Sequence, residues 1–170
     1  IHAFDAFEVT VDVIIGHGFT NTDEIHETGR RTDAEFNLLG DADNLPQLMF
    51  NSDFDVRAGV RTVYELLLTG TPIIGIPQTG NQIPIIEELS SKDVILPIEI
   101  DSNISFNSIQ PSASPQLLNV DSNIMIKRLK NGITRMVSNP PLRRKFRGHG
   151  RSLVDGKGTA RIYNHIEILI

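Results

Sequence analysis

The chain has no cysteine and no tryptophan, and only 6% of its 170 residues are aromatic. Without cysteine, disulfide bonds and thiolate chemistry are excluded. Cysteine usage is also the usual sequence clue to the redox compartment, so that clue is missing here.

Long apolar runs and an excess of basic residues are also absent. No uninterrupted apolar run approaches the roughly 20 residues that a membrane-spanning helix needs. The first residues, IHAFDAFEV, lack the basic start and apolar stretch of a signal peptide. The chain has 21 acidic and 16 Lys and Arg residues, for a formal net charge of −5, which does not favour nucleic acid or an anionic membrane surface. We therefore expect a cytoplasmic protein with no nucleic-acid partner.

Ordinary globular composition is present, with 39% hydrophobic and 22% charged residues. The length suits one domain, or one half of a larger two-domain protein. Strand-like and helix-like segments alternate through the first hundred residues with short connections. The strands are predicted at 9–16, 34–40, 53–59, 71–77 and 93–98, and the helices at 21–31, 44–51, 60–70 and 81–92. This alternation predicts an α/β fold with a Rossmann-like parallel sheet and helices on both faces, a three-layer α/β/α sandwich.

The rest of the chain has a different pattern. Residues 99–120 are rich in Ser, Asn, Pro and Gln without a sustained period, which predicts a mobile loop. Helical patterns return at 122–139, 140–154 and 158–170. No internal repeat and no second domain is visible, so residues 1–170 are expected to form a single domain.

A strand-to-helix junction carries the main functional signal, in the stretch SDFDVRAGVRTVYELLLTGTPIIGIP. Gly59 ends a predicted strand, and ligands of parallel α/β sheets bind beyond such strand ends. The free amides that open the next helix suit a phosphate. Thr62 can add a hydroxyl donor, and Glu65 shares its helix face, where a carboxylate can accept hydrogen bonds from ribose. The alternative, a surface Glu65 at an ordinary junction, has about equal weight on spacing alone.

This stretch, followed by Gly-Asn-Gln, resembles the carboxyl-terminal half of glycosyltransferase family 28. It also resembles the nucleotide-sugar hydrolases of pseudaminic acid synthesis and related spore-coat polysaccharide proteins. The shared positions are Asp53, Gly59, Thr62, Glu65, Gly70, Pro72, Pro77, Asn81 and Gln82. The triplet Arg57-Ala58-Gly59 is close to that of the peptidoglycan N-acetylglucosaminyl transferase. The segment DGKGTARI, beginning at Asp155, looks like the Asp-Gly-x-Gly-x-x-Arg ending of the hydrolase-like branch.

The resemblance implies one half of a GT-B architecture that binds a nucleotide sugar, usually a UDP-sugar, as donor substrate. The function expected is transfer of a hexose or N-acetylhexosamine, with no further cofactor. By position, the diphosphate would be contacted by Gly59, Val60, Arg61 and Thr62, and the ribose by Glu65. The donor sugar or diphosphate would be contacted by Asn81 and Gln82. The base would lie at the strand end from Gly40 to Leu45.

Departures from the family leave three functions open. Val60 and Arg61 replace a small and an uncharged residue, and neither the Gly-rich loop nor the amino-terminal GT-B domain with its catalytic base is found in the sequence. The resemblance therefore implies the donor-binding part of a transferase, part of a nucleotide-sugar hydrolase, or a non-catalytic binding subunit. An amino-terminal domain or a separate catalytic subunit would be its partner. No catalytic residue is assigned.

Other chemistry-bearing residues have weaker signals. His17 and His26 lack a third ligand at zinc-site spacing, and Asp41 and Asp43 look like turn residues, so no metal site is expected. The basic run RRKFRGHGR, residues 143–151, is expected to be a solvated helix face. A membrane-linked acceptor, with the protein peripheral at the membrane, stays open because lipid-linked substrates are common in the family.

Overall fold

The protein is an α/β structure with two small parallel sheets. The computed structural model describes residues 2–5, 7–16, 18–40, 44–58, 62–100 and 121–169. In this part of the chain, two strands form one sheet in the order β1-β2, and three strands form the other in the order β3-β4-β5. The strands are β1 (Thr10–Ile15), β2 (Glu35–Gly40), β3 (Asp55–Ala58), β4 (Ile73–Ile76) and β5 (Ile95–Pro97).

Seven α-helices lie between and after the strands in the described residues. They are α1 (Thr22–Arg30), α2 (Leu45–Asn51), α3 (Val63–Thr69), α4 (Ile83–Ser91), α5 (Ser122–Val137), α6 (Pro140–Leu153) and α7 (Gly158–Leu169). Short 3-10 helices cover His2–Phe4 and Gly80–Gln82. Helices α5 and α6, which follow the sheets, begin at side-chain caps. The Asp121 carboxylate accepts hydrogen bonds from the backbone N–H of Asn123 at 2.8 Å and Ile124 at 3.1 Å, at the start of α5.

The three-stranded sheet is covered on both faces, as its near-continuous apolar strands require. Successive residues of β4 point to opposite faces, so Ile73 and Ile74 belong to different core clusters. The Ile73 cluster is built with α2, α3 and α4, whereas the Ile74 cluster is built with α5, α6 and the amino-terminal residues near Ala3. The expected helix–sheet–helix layering is therefore present around this sheet.

Two expectations need correction. The sequence predicted one continuous sheet, but β1 and β2 form a separate sheet with no strand pairing to β3, β4 or β5 among the described residues. The reason is that lateral pairing depends on contacts between strands distant in sequence, which local periodicity does not encode. The third helix was predicted from residue 60, and its described part begins at Val63.

The predicted loop at 99–120 can be compared with the structure only at its start. Glu99 and Ile100 have no regular secondary structure, and residues 101–120 lie outside the described residues. Helix α5, which follows this segment, begins at the Asp121 cap. None of the described helices combines the length and the apolar character needed to cross a membrane.

Candidate functional site

The carboxyl ends of β3 and β4 lie side by side at one edge of the three-stranded sheet. The two strands are parallel, and their last residues, Ala58 and Ile76, are register partners. The chain leaving β3 toward Thr62 and the chain leaving β4 toward Gln82 therefore start at the same edge. Gly59, Val60 and Arg61, with the amides expected to hold a diphosphate, lie outside the described residues.

Helix α3 holds Thr62 and Glu65 at this edge. Val63, Leu66 and Leu67 are buried against the core, so the helical period places Glu65 on the exposed side of the first turn. No hydrogen bond or ion pair to another described residue involves the Glu65 carboxylate. Thr62 is half-buried at the N-cap position and makes no side-chain capping bond. Both side chains therefore have polar groups available to a ligand.

Asn81 and Gln82 lie in the short turn after β4, where their side-chain carbonyl oxygens accept hydrogen bonds from within the turn. The Thr79 hydroxyl donates to Oδ1 of Asn81 at 2.6 Å, and the backbone N–H of Gln78 donates to Oε1 of Gln82 at 2.8 Å. The amide groups Nδ2 and Nε2 have no acceptor among the described residues. Because the oxygens are fixed, each side chain presents a positioned N–H donor, which suits a phosphate or sugar oxygen.

The expected base-binding segment lies at the end of the other sheet. Gly40 is the last residue of β2, where it pairs with Ile15, and it is exposed. Leu45 begins α2 and packs its side chain against the core cluster that also contains Val63 of α3. Helices α2 and α3 are thus adjacent, although residues 41–43 between Gly40 and Asn44 are outside the described range. Leu45 is oriented inward, so only its backbone is available to a base.

A cavity of about 460 Å³ opens next to Gln82 and was not predicted from the sequence. It lies beyond the ends of β4 and β5, against one face of α4. Prolines and isoleucines form most of its lining, and two carboxylates and two serines add polar groups. The lining residues are Pro77, Ile83, Ile86, Glu87, Ser90, Ser91, Pro97, Ile98, Glu99 and Ile100. The spacing of Ile83, Glu87 and Ser90 on α4 was the available signal, but a helix face of this kind is common.

The basic run of α6 is used largely within the fold. Arg143 donates to the carbonyls of Met136 and Val137 at the end of α5, the second at 2.9 Å. Arg151 donates to the carbonyl of Thr69 at the end of α3, at 2.8 Å from Nη2. Lys145 pairs with Asp93 at 2.8 Å just after α4, and the pKa of Asp93 is lowered, first by this hydrogen bond. Arg143 and Arg151 therefore neutralise the carboxyl ends of α5 and α3, and Lys145 neutralises the Asp93 carboxylate beyond α4.

The Asp-Gly-x-Gly-x-x-Arg segment forms the turn that starts α7. Asp155 accepts two hydrogen bonds from the Arg161 guanidinium, at 2.7 and 3.1 Å, and one from the backbone N–H of Lys157 at 3.0 Å. The Arg161 bonds are the largest cause that lowers the pKa of Asp155 to about 2, ahead of the Lys157 bond. Gly156 has a φ of 71°, which explains the glycine after the aspartate. The segment's polar groups are therefore engaged in a structural turn.

Metal ligands and known relatives add no further constraint. Among the described residues, no group of three or more His, Asp or Glu side chains is arranged to hold a metal ion. No protein-family model, no curated protein and no solved structure matched this chain. The functional argument therefore rests on the sheet edge and its side chains.

Proposed function

We propose that this chain is the nucleotide-sugar-binding domain of a GT-B glycosyltransferase and that it holds a UDP-sugar donor for transfer of a hexose or N-acetylhexosamine. The observation that carries the proposal is that β3 and β4 end side by side at the carboxyl-terminal end of the sheet. There the Glu65 carboxylate, which has no partner among the described residues, and the oriented amides of Asn81 and Gln82 follow neighbouring parallel strands. Ligands of such sheets bind at this edge.

Each group has a role set by its chemistry. Glu65 accepts hydrogen bonds from the two ribose hydroxyls, since a carboxylate offers two oxygens and no donor. Asn81 and Gln82 donate their N–H groups to the diphosphate or the sugar. The amides before Val63, with the Thr62 hydroxyl, stabilise the diphosphate, and as sugar transfer proceeds they stabilise the charge of the leaving group. Backbone groups between Gly40 and Leu45 hold the base.

The cavity next to Gln82 could hold the sugar of the donor. Its carboxylates Glu87 and Glu99 can accept hydrogen bonds from sugar hydroxyls, and its proline and isoleucine walls can pack against apolar ring faces. The catalytic base would come from an amino-terminal domain or a separate subunit, in keeping with the family resemblance. A lipid-linked acceptor would then be presented by that partner.

Hydrolysis of a nucleotide sugar is the main alternative. Its particular support is the segment from Asp155 to Arg161, yet the polar groups there make the turn that starts α7. This arrangement gives the hydrolase no reacting group, so we favour transfer. Release of free sugar from a UDP-sugar without any acceptor would reverse that preference.

Calorimetric titration with UDP and with 2′,3′-dideoxy-UDP tests the site. We expect UDP to bind more tightly than the dideoxy compound, and Glu65→Ala to weaken UDP binding about 10-fold or more, since charged hydrogen bonds contribute about 1.5 to 3 kcal/mol each. Glu65→Ala should also remove the difference between the two nucleotides.

Glu88→Ala is the matched control, because Glu88 is an exposed carboxylate near the carboxyl end of α4, whereas Gln82 lies at the amino end of that helix. It makes the same change of charge and should leave UDP affinity unchanged. If the intact chain does not bind UDP or a UDP-sugar, the proposal is wrong. If UDP binds but Glu65→Ala has no effect, the ribose role of Glu65 is wrong.

A further inference from the structure

Helix α7 carries an apolar stripe that no described residue covers. Ile162, Tyr163 and Ile166 are 64%, 62% and 53% exposed, and every residue of α7 up to Glu167 is exposed. The three side chains lie at helical spacing, so they share one side of the helix. Apolar side chains with this degree of exposure, grouped on one helix, mark a surface that binds another protein surface.

A second apolar surface lies on the outer side of α3, between α2 and the end of α6. We call it the α3 patch, and its members are Phe50, Tyr64, Leu68 and Leu153, exposed by 51%, 53%, 46% and 43%. Tyr64 and Leu68 are one turn apart on α3. The Arg151 guanidinium joins this surface, since it lies 5.7 Å from the centre of the Phe50 ring and donates to Thr69.

The α3 patch and α7 are close in the chain. A Cβ added to Gly156, two residues before α7, would lie 3.3 Å from Leu68. Helix α7 therefore starts at the rim of the α3 patch and then extends without covering it. The Asp155–Arg161 ion pair, at 2.7 Å, fixes this start.

We propose that two copies of this chain form a symmetric dimer in which α7 of each copy packs on the α3 patch of the other. Exchange between two different surfaces of the same chain satisfies a two-fold axis, because each contact then occurs twice. The charges also match, since the α3 patch contains Arg151 and α7 contains Glu167 beside Tyr163. The proposal does not depend on nucleotide-sugar binding.

The exposed area is sufficient for a stable pair. From typical side-chain areas, the α3 patch leaves about 350 Å² uncovered and the α7 stripe about 300 Å². Covering both surfaces in both copies removes about 1,300 Å², which is within the range of about 1,200 to 2,000 Å² for specific interfaces.

Sedimentation velocity of the full chain is the first test, from about 1 to 200 µM, since interfaces of this size have affinities of micromolar or tighter. We expect a species of twice the 18.9 kDa chain mass. Leu68→Asp and Ile166→Asp should each raise the dissociation constant at least about tenfold. Ile126→Asp is the control, because Ile126 is an isoleucine of similar exposure, 43%, on α5 outside both surfaces.

Engineered disulfides test the pairing directly, because the chain has no cysteine of its own. A mixture of Leu68→Cys and Ile166→Cys chains should form a mixed disulfide-linked dimer at least about tenfold faster than a mixture of Ile126→Cys and Ile166→Cys chains. The chain that carries both Leu68→Cys and Ile166→Cys should link mainly between copies.

Three results would overturn the proposal. The first is a monomer at every concentration. The second is a dimer that is insensitive to Leu68→Asp or to Ile166→Asp, or equally sensitive to Ile126→Asp. The third is a disulfide formed within one chain in the double cysteine variant, which would place α7 on its own α3 patch. UDP titration of Ile166→Asp separates failure of the dimer proposal from failure of the proposed function, because a monomeric variant should still bind UDP.

Discussion

Gly75, in the middle of the central strand β4, leaves room for a neighbouring isoleucine. A Cβ added to Gly75 would lie 2.4 Å from Cδ1 and 3.1 Å from Cγ1 of Ile95, which is itself buried. The buried Ile95 side chain has little freedom to move away. The lack of a side chain at Gly75 therefore allows the Ile95 side chain of β5 to pack directly against the backbone of β4.

We expect Gly75→Ala to lower the free energy of unfolding by about 1 to 3 kcal/mol, the usual cost of overpacking a core. Ile95→Val alone should cost about 0.5 to 1.5 kcal/mol. The double variant should cost less than the sum, because valine removes the Cδ1 atom that clashes. Urea unfolding of the three variants measures this difference.

Gly148→Ala provides the control, since Gly148 is an exposed residue of α6 and an added Cβ there meets open space. It should be neutral or stabilise the protein by up to about 1 kcal/mol through helix propensity. Strict additivity of Gly75→Ala and Ile95→Val would show that the clash at Ile95 does not determine the cost.

Some single positions could be placed from the sequence and others could not. The placement of Glu65 in the first turn of a helix was predicted from the sequence, and the structure has Glu65 in the first turn of α3 with its side chain exposed. The bracing of Asn81 by Thr79 and of Gln82 by Gln78 was not predictable, because it depends on the conformation of the turn. The cavity next to Gln82 was missed for a similar reason, since the irregular segment after β5 supplies three of its ten lining residues.

At the scale of elements, the ends of the helices are where charge is organised. The α6 cations neutralise the ends of α3 and α5, and Lys145 pairs with Asp93 beyond α4. The sequence predicted the positions of these helices from periodicity and turn residues. It did not predict the partners of the basic residues, because α6 and the helix ends that it contacts are distant along the chain.

The start of α7 should be sensitive to acid. The pKa of Asp155 is lowered from 3.8 to about 2 in the folded protein, mainly by Arg161, so its contribution to stability is complete above pH 3.8 and is lost as the pH falls through about 2. We expect the carboxyl carbon of Asp155 to titrate near pH 2 in an NMR experiment. The amide signals of the first turn of α7 should change over the same pH range.

Arg161→Gln should raise the pKa of Asp155 toward 3.8 without fully reaching it, because the Lys157 backbone bond remains. Arg144→Gln changes an exposed arginine of α6 and should leave the titration unchanged. An unchanged pKa in Arg161→Gln would mean that the guanidinium does not stabilise this carboxylate in solution.

At the scale of the whole molecule, the two sheets differ in how they are protected. Strand β4 is buried on both faces and pairs with a strand on each side, whereas no residue of β1 or β2 is fully buried. The alternation of strands and helices was enough to predict the α/β class and the parallel pairing of neighbouring strands. It was not enough to predict the separation into two sheets among the described residues, which depends on lateral contacts between strands.

Hydrogen exchange should reveal this difference in stability. We expect the amides of Ile74 and Gly75 to exchange most slowly, and those of β1 and β2 at least about 100-fold faster, because exposed and partly buried strands open locally. NMR-detected exchange at neutral pH measures both groups in one sample. Equal protection of β1, β2 and β4 would show instead that the two sheets open as a single unit.

Adding UDP should slow the exchange of the β2 amides if the proposed nucleotide site is correct. That site includes the end of β2 at Gly40 and the start of α3 at Glu65, so only a state with both ends ordered can bind the nucleotide. Saturation at about 100 times the dissociation constant stabilises that state by about 2.7 kcal/mol. The β2 amides should then slow by up to about 100-fold, because their local opening removes the site, and amides of β4 that exchange by global unfolding should slow by a similar factor, because unfolding removes the site as well. In Glu65→Ala, the same UDP concentration should give a smaller effect on β2, and an identical effect would remove Glu65 from the site.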